Sequence, residues 1–176
     1  MKRIITSVML LGVLLLSGCG KEKCEDTESC KRALEYVTYD NQNAYDKMYS
    51  MEIGGNGGKT SSSLEDAKSK LPDDYENVKE KSVEKYAAIE YEIKPGSEYI
   101  YKFVFFDLRS NEKKVTSVKM EKVKNQYLAK QIFGSIKAGS IEKENEELIT
   151  PKYYFSDSLT EKEKDELKPT PVKKDE

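Results

Sequence analysis

The sequence predicts an α+β fold: N-terminal helices packed on a curved antiparallel sheet of three to four strands, a meander, followed by a disordered C-terminal tail. Three observations carry this. Apolar side chains between Cys30 and Met51 recur at helical spacing. From Ser82 to Phe133, segments with strand character are separated by short turns, which favours antiparallel neighbours. After Ile141, charged residues and prolines leave little to bury. Helices first and strands afterwards is the order of an α+β chain, since alternating units would build a parallel sheet instead.

In the helical region Ala33, Leu34, Val37, Ala44, Tyr45, Met48 and Tyr49 fall at helix-like intervals, and Asp40-Asn41-Gln42-Asn43 interrupts them. The spacing predicts two short helices or one kinked helix. Gly54-Gly55-Asn56-Gly57-Gly58 and Ser61-Ser62-Ser63 form a loop, because glycine loses more backbone freedom on ordering than any other residue. Leu64 to Lys70 and Asp73 to Lys81 read as two weakly amphipathic helical turns, broken at Leu71-Pro72. In the first strand Ala87, Ile89, Tyr91 and Ile93 alternate with Ala88, Glu90, Glu92 and Lys94, one face apolar and the other mostly polar and solvated. Lys94-Pro95-Gly96-Ser97 turns the chain into Tyr99 to Leu108, which is apolar on both faces apart from Lys102 and Asp107 and is therefore central. Arg109-Ser110-Asn111-Glu112 leads into Lys113 to Val123, where the spacing of Val115, Val118, Met120 and Val123 predicts a bulge or a mostly exposed face. Lys124-Asn125 opens the last strand, Gln126 to Phe133.

The α+β domain then spans residues 31–137, and residues 138–176 form a charged, mostly disordered tail. Two local exceptions stand out. Thr160 and Glu163 have the spacing of a capping box for a short exposed helix ending before Pro169, and Tyr153-Tyr154-Phe155 could dock on the sheet as an edge strand.

With 176 residues, 37% hydrophobic and 35% charged, the chain suffices for one modest domain. It contains no His, which excludes His-based acid-base catalysis, Ser-His and Cys-His nucleophiles and His-ligated metals. No cofactor is expected. The net charge of −2 includes Lys2 and Arg3, so the rest of the chain is more acidic still, with lysines scattered among acids; nothing there suggests nucleic acid. Gly58-Lys59-Thr60 imitates a phosphate loop, yet the position where that loop needs its first glycine is Ile53.

The N-terminus is the most specific part of the sequence. Lys2 and Arg3 precede an apolar run of thirteen residues, Ile4 to Leu16, and Ser17-Gly18-Cys19 follow. Such a run spans about 20 Å as a helix, short of a hydrocarbon core of roughly 30 Å, so it reads as a cleaved signal peptide over residues 1–18. Leu16-Ser17-Gly18-Cys19 resembles the lipobox of bacterial lipoproteins. The resemblance implies cleavage between Gly18 and Cys19 and a thioether-linked diacylglycerol on Cys19, with two or three acyl chains (palmitate and its kind) holding the protein on a membrane without spanning it. Gly20 in place of Asp implies the outer membrane in a host with two membranes; with one membrane the protein sits on its outer leaflet. Subtracting Cys19 leaves Cys24 and Cys30, an even number in an oxidising compartment, and a disulfide between them is expected within a tether of residues 19–30.

A helix with a polar break, a charged linker and strands ending in Lys119 to Leu128 resemble the small lipoproteins with a nuclear transport factor 2-like, cystatin-like domain. That resemblance covers roughly residues 31–137 and implies a sheet curved around the helices to leave a cone-shaped cavity; Tyr127 stands where the family usually has Trp. Tyr91, Tyr101 and Tyr127 are the candidate pocket residues; the alternative, which the sequence favours, is a sheet whose tyrosines pack their apolar bodies inward and keep their hydroxyl tips wet. The expected function is that of a non-enzymatic, lipid-anchored envelope module that binds an envelope protein or an apolar ligand. The alternative is an exclusion or immunity lipoprotein that blocks phage, conjugation or a toxin. A hydrolase using carboxylates alone would need two acids in one pocket, and Glu90, Glu92 and Asp107 read instead as solvated face and hairpin end.

Overall fold

The structure, a computed structural model, describes residues 23–54, 59–143 and 147–174; the signal peptide and lipidation site expected at Gly18 and Cys19 lie outside the described residues. A 3-10 turn, Cys24–Asp26, leads directly into helix α1, Glu28–Gln42. The Asp40-Asn41-Gln42 stretch completes α1 rather than breaking it. The break falls at Asn43, whose left-handed backbone (φ 56) lets its amide close on Asp40 O at 3.0 Å. Helix α2, Tyr45–Met51, buries Met48 and Met51. Helix α3, Leu64–Ser69, starts at Ser63, whose side chain accepts from Asp66 N at 3.1 Å.

The second predicted helical turn is mostly absent. Asp73 to Lys81 forms only a 3-10 turn, Tyr75–Asn77, before the chain extends towards the sheet. The cause is tertiary: Gln42 Nε2 donates to Lys79 O at 3.2 Å and Lys81 O at 2.6 Å, and Val83 N donates to Thr38 Oγ1 at 3.3 Å. These bonds hold the backbone of the stretch against α1.

Five strands form one antiparallel sheet that does not close: β1, Tyr86–Lys94; β2, Glu98–Phe106; β3, Lys113–Val123; β4, Gln126–Ile132; and β5, Lys152–Phe155, in the order β4-β3-β2-β1-β5. The first four are the expected meander. Gly96 supplies the positive φ (68) that the β1–β2 turn requires. No bulge interrupts β3, which pairs with β2 residue for residue from Glu98↔Glu121 to Phe106↔Lys113. The widely spaced apolar residues of β3 instead reflect an exposed face, on which Val115 is 56% exposed.

The tail supplies the fifth strand and a further helix, α4, Glu161–Leu167, so the expectation of a mostly disordered segment over 138–176 is corrected for the described residues. Alternation explains why it docks. Side chains of β1 at 86, 88 and 90 face α1 and α2, where Tyr36, Val37, Met48, Tyr101, Phe103 and Phe105 build the main core. Side chains at 87, 89 and 91 face the other way, and there Ile89, Tyr91 and Ile100 pack with Ile136 and Ile141, while Ala87 and Val104 pack with Leu159 and Leu167. Thr160 and Glu163 cap α4 reciprocally, as their spacing predicts. The sheet is thus covered by helices on its inner face and by the C-terminal segment on its outer face. Among the described residues, no helix is long and apolar enough to cross a membrane.

Candidate functional site

The three candidate tyrosines do not line one pocket. Tyr101 and Tyr127 point to the inner face, and Tyr91 points to the outer. The β1–β2 register decides this: Tyr91 pairs with Ile100 and Glu90 with Tyr101, so the two tyrosines fall on opposite faces. Tyr127 donates to Gly96 O at 2.9 Å and its ring meets Tyr99 at 5.9 Å between centroids. Tyr91 accepts a hydrogen bond from Val172 N at 2.8 Å and so clips the C-terminal segment to the sheet. All three are packing residues with a structural polar tip.

Glu90, expected in solvent, is buried on the inner face. Its Oε2 accepts from Tyr101 Oη at 2.7 Å and Tyr154 Oη at 2.8 Å, and Ser29 Oγ lies 2.8 Å from Tyr101 Oη. Burial, followed by the charge of Glu90, pushes the Tyr101 hydroxyl well above its ordinary range, so it stays protonated and donates. The network joins α1, β1, β2 and β5. Ser29 and Tyr154 carry no periodic signal that would single them out, and only β5 docking places the latter.

The other acids are similarly occupied. Glu52 accepts from Tyr36 Oη at 2.7 Å, Thr60 N at 2.9 Å and Thr60 Oγ1 at 3.1 Å. Lys59 sits over the Tyr49 ring and bonds Tyr49 O, away from any phosphate-loop arrangement. Glu92 accepts from Gly96 N and Tyr99 Oη at its hairpin end. Asp107 also ends a hairpin: burial works against its charge, but the Lys114 ion pair and the amides of Ser110 and Arg109 hold it below the usual carboxylate range. Arg109 grips Asp74 and donates to Asn41 O at 2.6 Å and Gln42 O at 3.1 Å, capping the end of α1. Cys24 and Cys30 are joined as a disulfide, with Cα atoms 5.0 Å apart. No group of three or more acidic or cysteine side chains is arranged to hold a metal among the described residues.

A groove of about 930 Å³ runs along α1. Leu34, Thr38 and Tyr39 of α1 form one wall, the extended stretch at 79–84 forms the other, and the end of β5 closes it beside Lys23. Its lining mixes apolar side chains, Leu34, Tyr39, Val83 and Phe155, with polar ones and with lysines and acids of both signs. Gln42, in its lining, is 2% exposed, and its Oε1 has no hydrogen-bond partner among the described residues although its Nε2 has two. The arrangement suits recognition of a partner with mixed polar and apolar groups. In comparisons with known proteins, no family model, no curated protein and no solved structure matches the chain.

Proposed function

We propose that the chain is a lipoprotein of the bacterial envelope, anchored through diacylglycerol on Cys19 after cleavage behind Gly18, and that its folded part is a non-enzymatic binding module on the extracytoplasmic side. The observation that carries this reading is where the groove lies relative to the lipobox. Lys23, which lines the groove, follows Cys19 by four residues, a reach of at most about 14 Å of extended chain. So short a tether would hold the groove near the bilayer, and confinement to a surface raises effective concentration against other membrane-attached partners.

Further support comes from the chemistry. A Cys24–Cys30 disulfide suits an oxidising compartment. Glu90 and Glu52 are engaged by tyrosine and threonine donors within the fold, which favours binding over carboxylate catalysis. The order of helices followed by a β1–β4 meander, with α1 on the inner face, supports a cystatin-like reading of the domain. Because α1 and α2 fill that face, the groove beside α1 takes the role that a cone-shaped cavity would have had. The proposed occupant is an envelope protein or an apolar ligand.

The test is to purify the chain from membranes and determine the mass of its N-terminal peptide. That peptide is expected to begin at Cys19 and to carry diacylglycerol, and Cys19→Ala is expected to remain uncleaved. An unmodified Cys19, or an N-terminus elsewhere, rejects the anchor. Tyr39→Arg, in the groove wall, is expected to lose whatever the wild type captures from envelope extracts, whereas an unchanged capture rejects the groove.

A further inference from the structure

The two edges of the sheet differ. At the β4 edge, Glu52 forms a parallel bridge with Ala129, and Ile53 N donates to Ala129 O at 3.0 Å, so the outward groups in mid-strand are covered. At the opposite edge lies β5. Ser156 N donates to Tyr86 O at 3.0 Å, and mutually bonded pairs of an antiparallel ladder recur at every second residue. Tyr154 and Lys152 therefore turn their backbone groups towards β1. Tyr153 and Phe155 turn theirs outwards, and among the described residues nothing pairs with them.

This open edge is flanked by hollows on both faces. The groove along α1 reaches it on the helix side through Ser156, Asp157 and Lys23. A second groove, of about 640 Å³, reaches it on the outer side, where Tyr153 and Phe155 face Lys164 and Lys168 of the α4 region. Both grooves share Lys23, Phe155, Ser156 and Asp157. A strand laid against β5 would send alternate side chains to opposite faces, and each face has room for them. The second groove is lined by Lys23, Lys164 and Lys168 opposite Asp157, Glu161 and Asp165, equal numbers of each sign. With Lys23 paired to Asp157 and Lys164 to Glu161 within the protein, the lining offers no excess of either sign, which disfavours a polyanion or a bare lipid surface and leaves the backbone groups of the edge for an extended peptide to meet.

We propose that the outward edge of β5 is a docking site for an extended segment of a partner protein, which adds as a sixth strand through the backbone groups of Tyr153 and Phe155. The proposal deepens the reading of the chain as a binding module by naming the class of partner; it does not depend on acylation of Cys19.

The test uses the full-length chain purified in detergent and a phage-displayed library of random dodecapeptides. In the free protein, hydrogen exchange is expected to be fast at the amides of Tyr153 and Phe155 and slow at Tyr154. Enriched peptides are expected to slow exchange at Tyr153 and Phe155. Tyr153→Pro removes the outward-facing donor, which edge strands tolerate, and Tyr153→Ala, which loses the same ring but keeps the donor, is its control; the Pro variant is expected to bind peptide about tenfold or more weakly than the Ala variant while leaving the far-UV circular dichroism unchanged. Three results overturn the proposal: no enriched peptide, enriched peptides that bind Tyr153→Pro as well as Tyr153→Ala, or slow exchange at Tyr153 and Phe155 before any peptide is added. If that last protection grows with protein concentration, the edge pairs with a second copy instead. Because peptide binding is measured without reference to the lipid, a failed acylation test and a failed strand test are separate results.

Discussion

Asp40 shows how a single side chain sets a pH dependence. It sits where α1 meets β3 and β4, accepting from Thr116 Oγ1 at 3.3 Å and Gln131 Nε2 at 3.2 Å. Burial pushes its carboxyl above the ordinary carboxylate range with help from the charge of Glu52, although Thr116, Gln131 and Lys114 all favour the charged form. A carboxyl with a raised folded pKa binds its proton more tightly when folded. Its contribution to stability is therefore fully present below the unfolded pKa of about 3.9 and is lost as pH rises through the folded value. Asp107 has the opposite sign, its contribution being present above the unfolded value and lost as pH falls through its lowered one. Comparing Asp40→Asn with wild type cancels Asp107 and isolates Asp40. The amide still accepts from Gln131 and can donate to Thr116, so the variant is expected to have the higher urea midpoint at pH 7 and to converge on wild type near about pH 3. A difference that does not vary with pH, or a lower midpoint at pH 7, contradicts the assignment. None of this was legible in the sequence, where Asp40 belongs to a polar interruption. Its burial follows from α1 running on to Gln42, a tertiary outcome that spacing alone does not fix.

At the scale of elements, the sequence carried more than composition allowed one to read. The alternation in β1 and the two apolar faces of β2 correctly imply a sheet with a central strand, and a strand apolar on both faces needs two covers. The N-terminal helices supply one. The other had to come from the charged tail, whose Ile141, Leu148, Ile149, Leu159, Leu167 and Val172 are spread too thinly for an average to reveal, yet each meets the outer face. The face of β1 called polar is the one that meets α1, because Tyr101 and Tyr154 supply donors to Glu90 that no local pattern announces. Helix α4 has seven residues, too few to hold a helix alone, so its order depends on docking through Leu167. Leu167→Ala is expected to cost about 2–3 kcal/mol, read as a lower urea midpoint, and to speed hydrogen exchange throughout α4. Phe133→Ala, at a position 81% exposed, is the control and is expected to lie within about 0.5 kcal/mol of wild type. Equal midpoints for the two variants would mean that the tail contributes nothing to stability.

On the scale of the whole molecule, the contacts that join the three layers converge on the start of α1. Cys24 and Cys30 are bonded there, Ser29 meets Tyr101, Tyr86 donates to Glu25 at 2.7 Å, and Tyr154 reaches Glu90 from β5. Helices, central strands and tail thus share partners within a few residues of the disulfide, and they should unfold together. The bridge closes a loop of about seven residues, for which the chain-entropy model gives about 2 kcal/mol. A Cys24→Ser, Cys30→Ser double variant is accordingly expected to lose at least about 2 kcal/mol, because it frees the loop and places two hydroxyls at buried positions, with a urea dependence that changes little because the loop is short. The chain has no Trp, so fluorescence reports the average over its twelve tyrosines, which lie on the helices and on both faces of the sheet, while far-UV circular dichroism follows the backbone. The two probes are expected to trace one transition in the wild type and, at lower urea, one transition in the variant. If the probes separate in the variant alone, the bridge is what couples the layers; if they separate in both, the tail and the helical layer are independent units and the shared contacts around Glu90 do not join them.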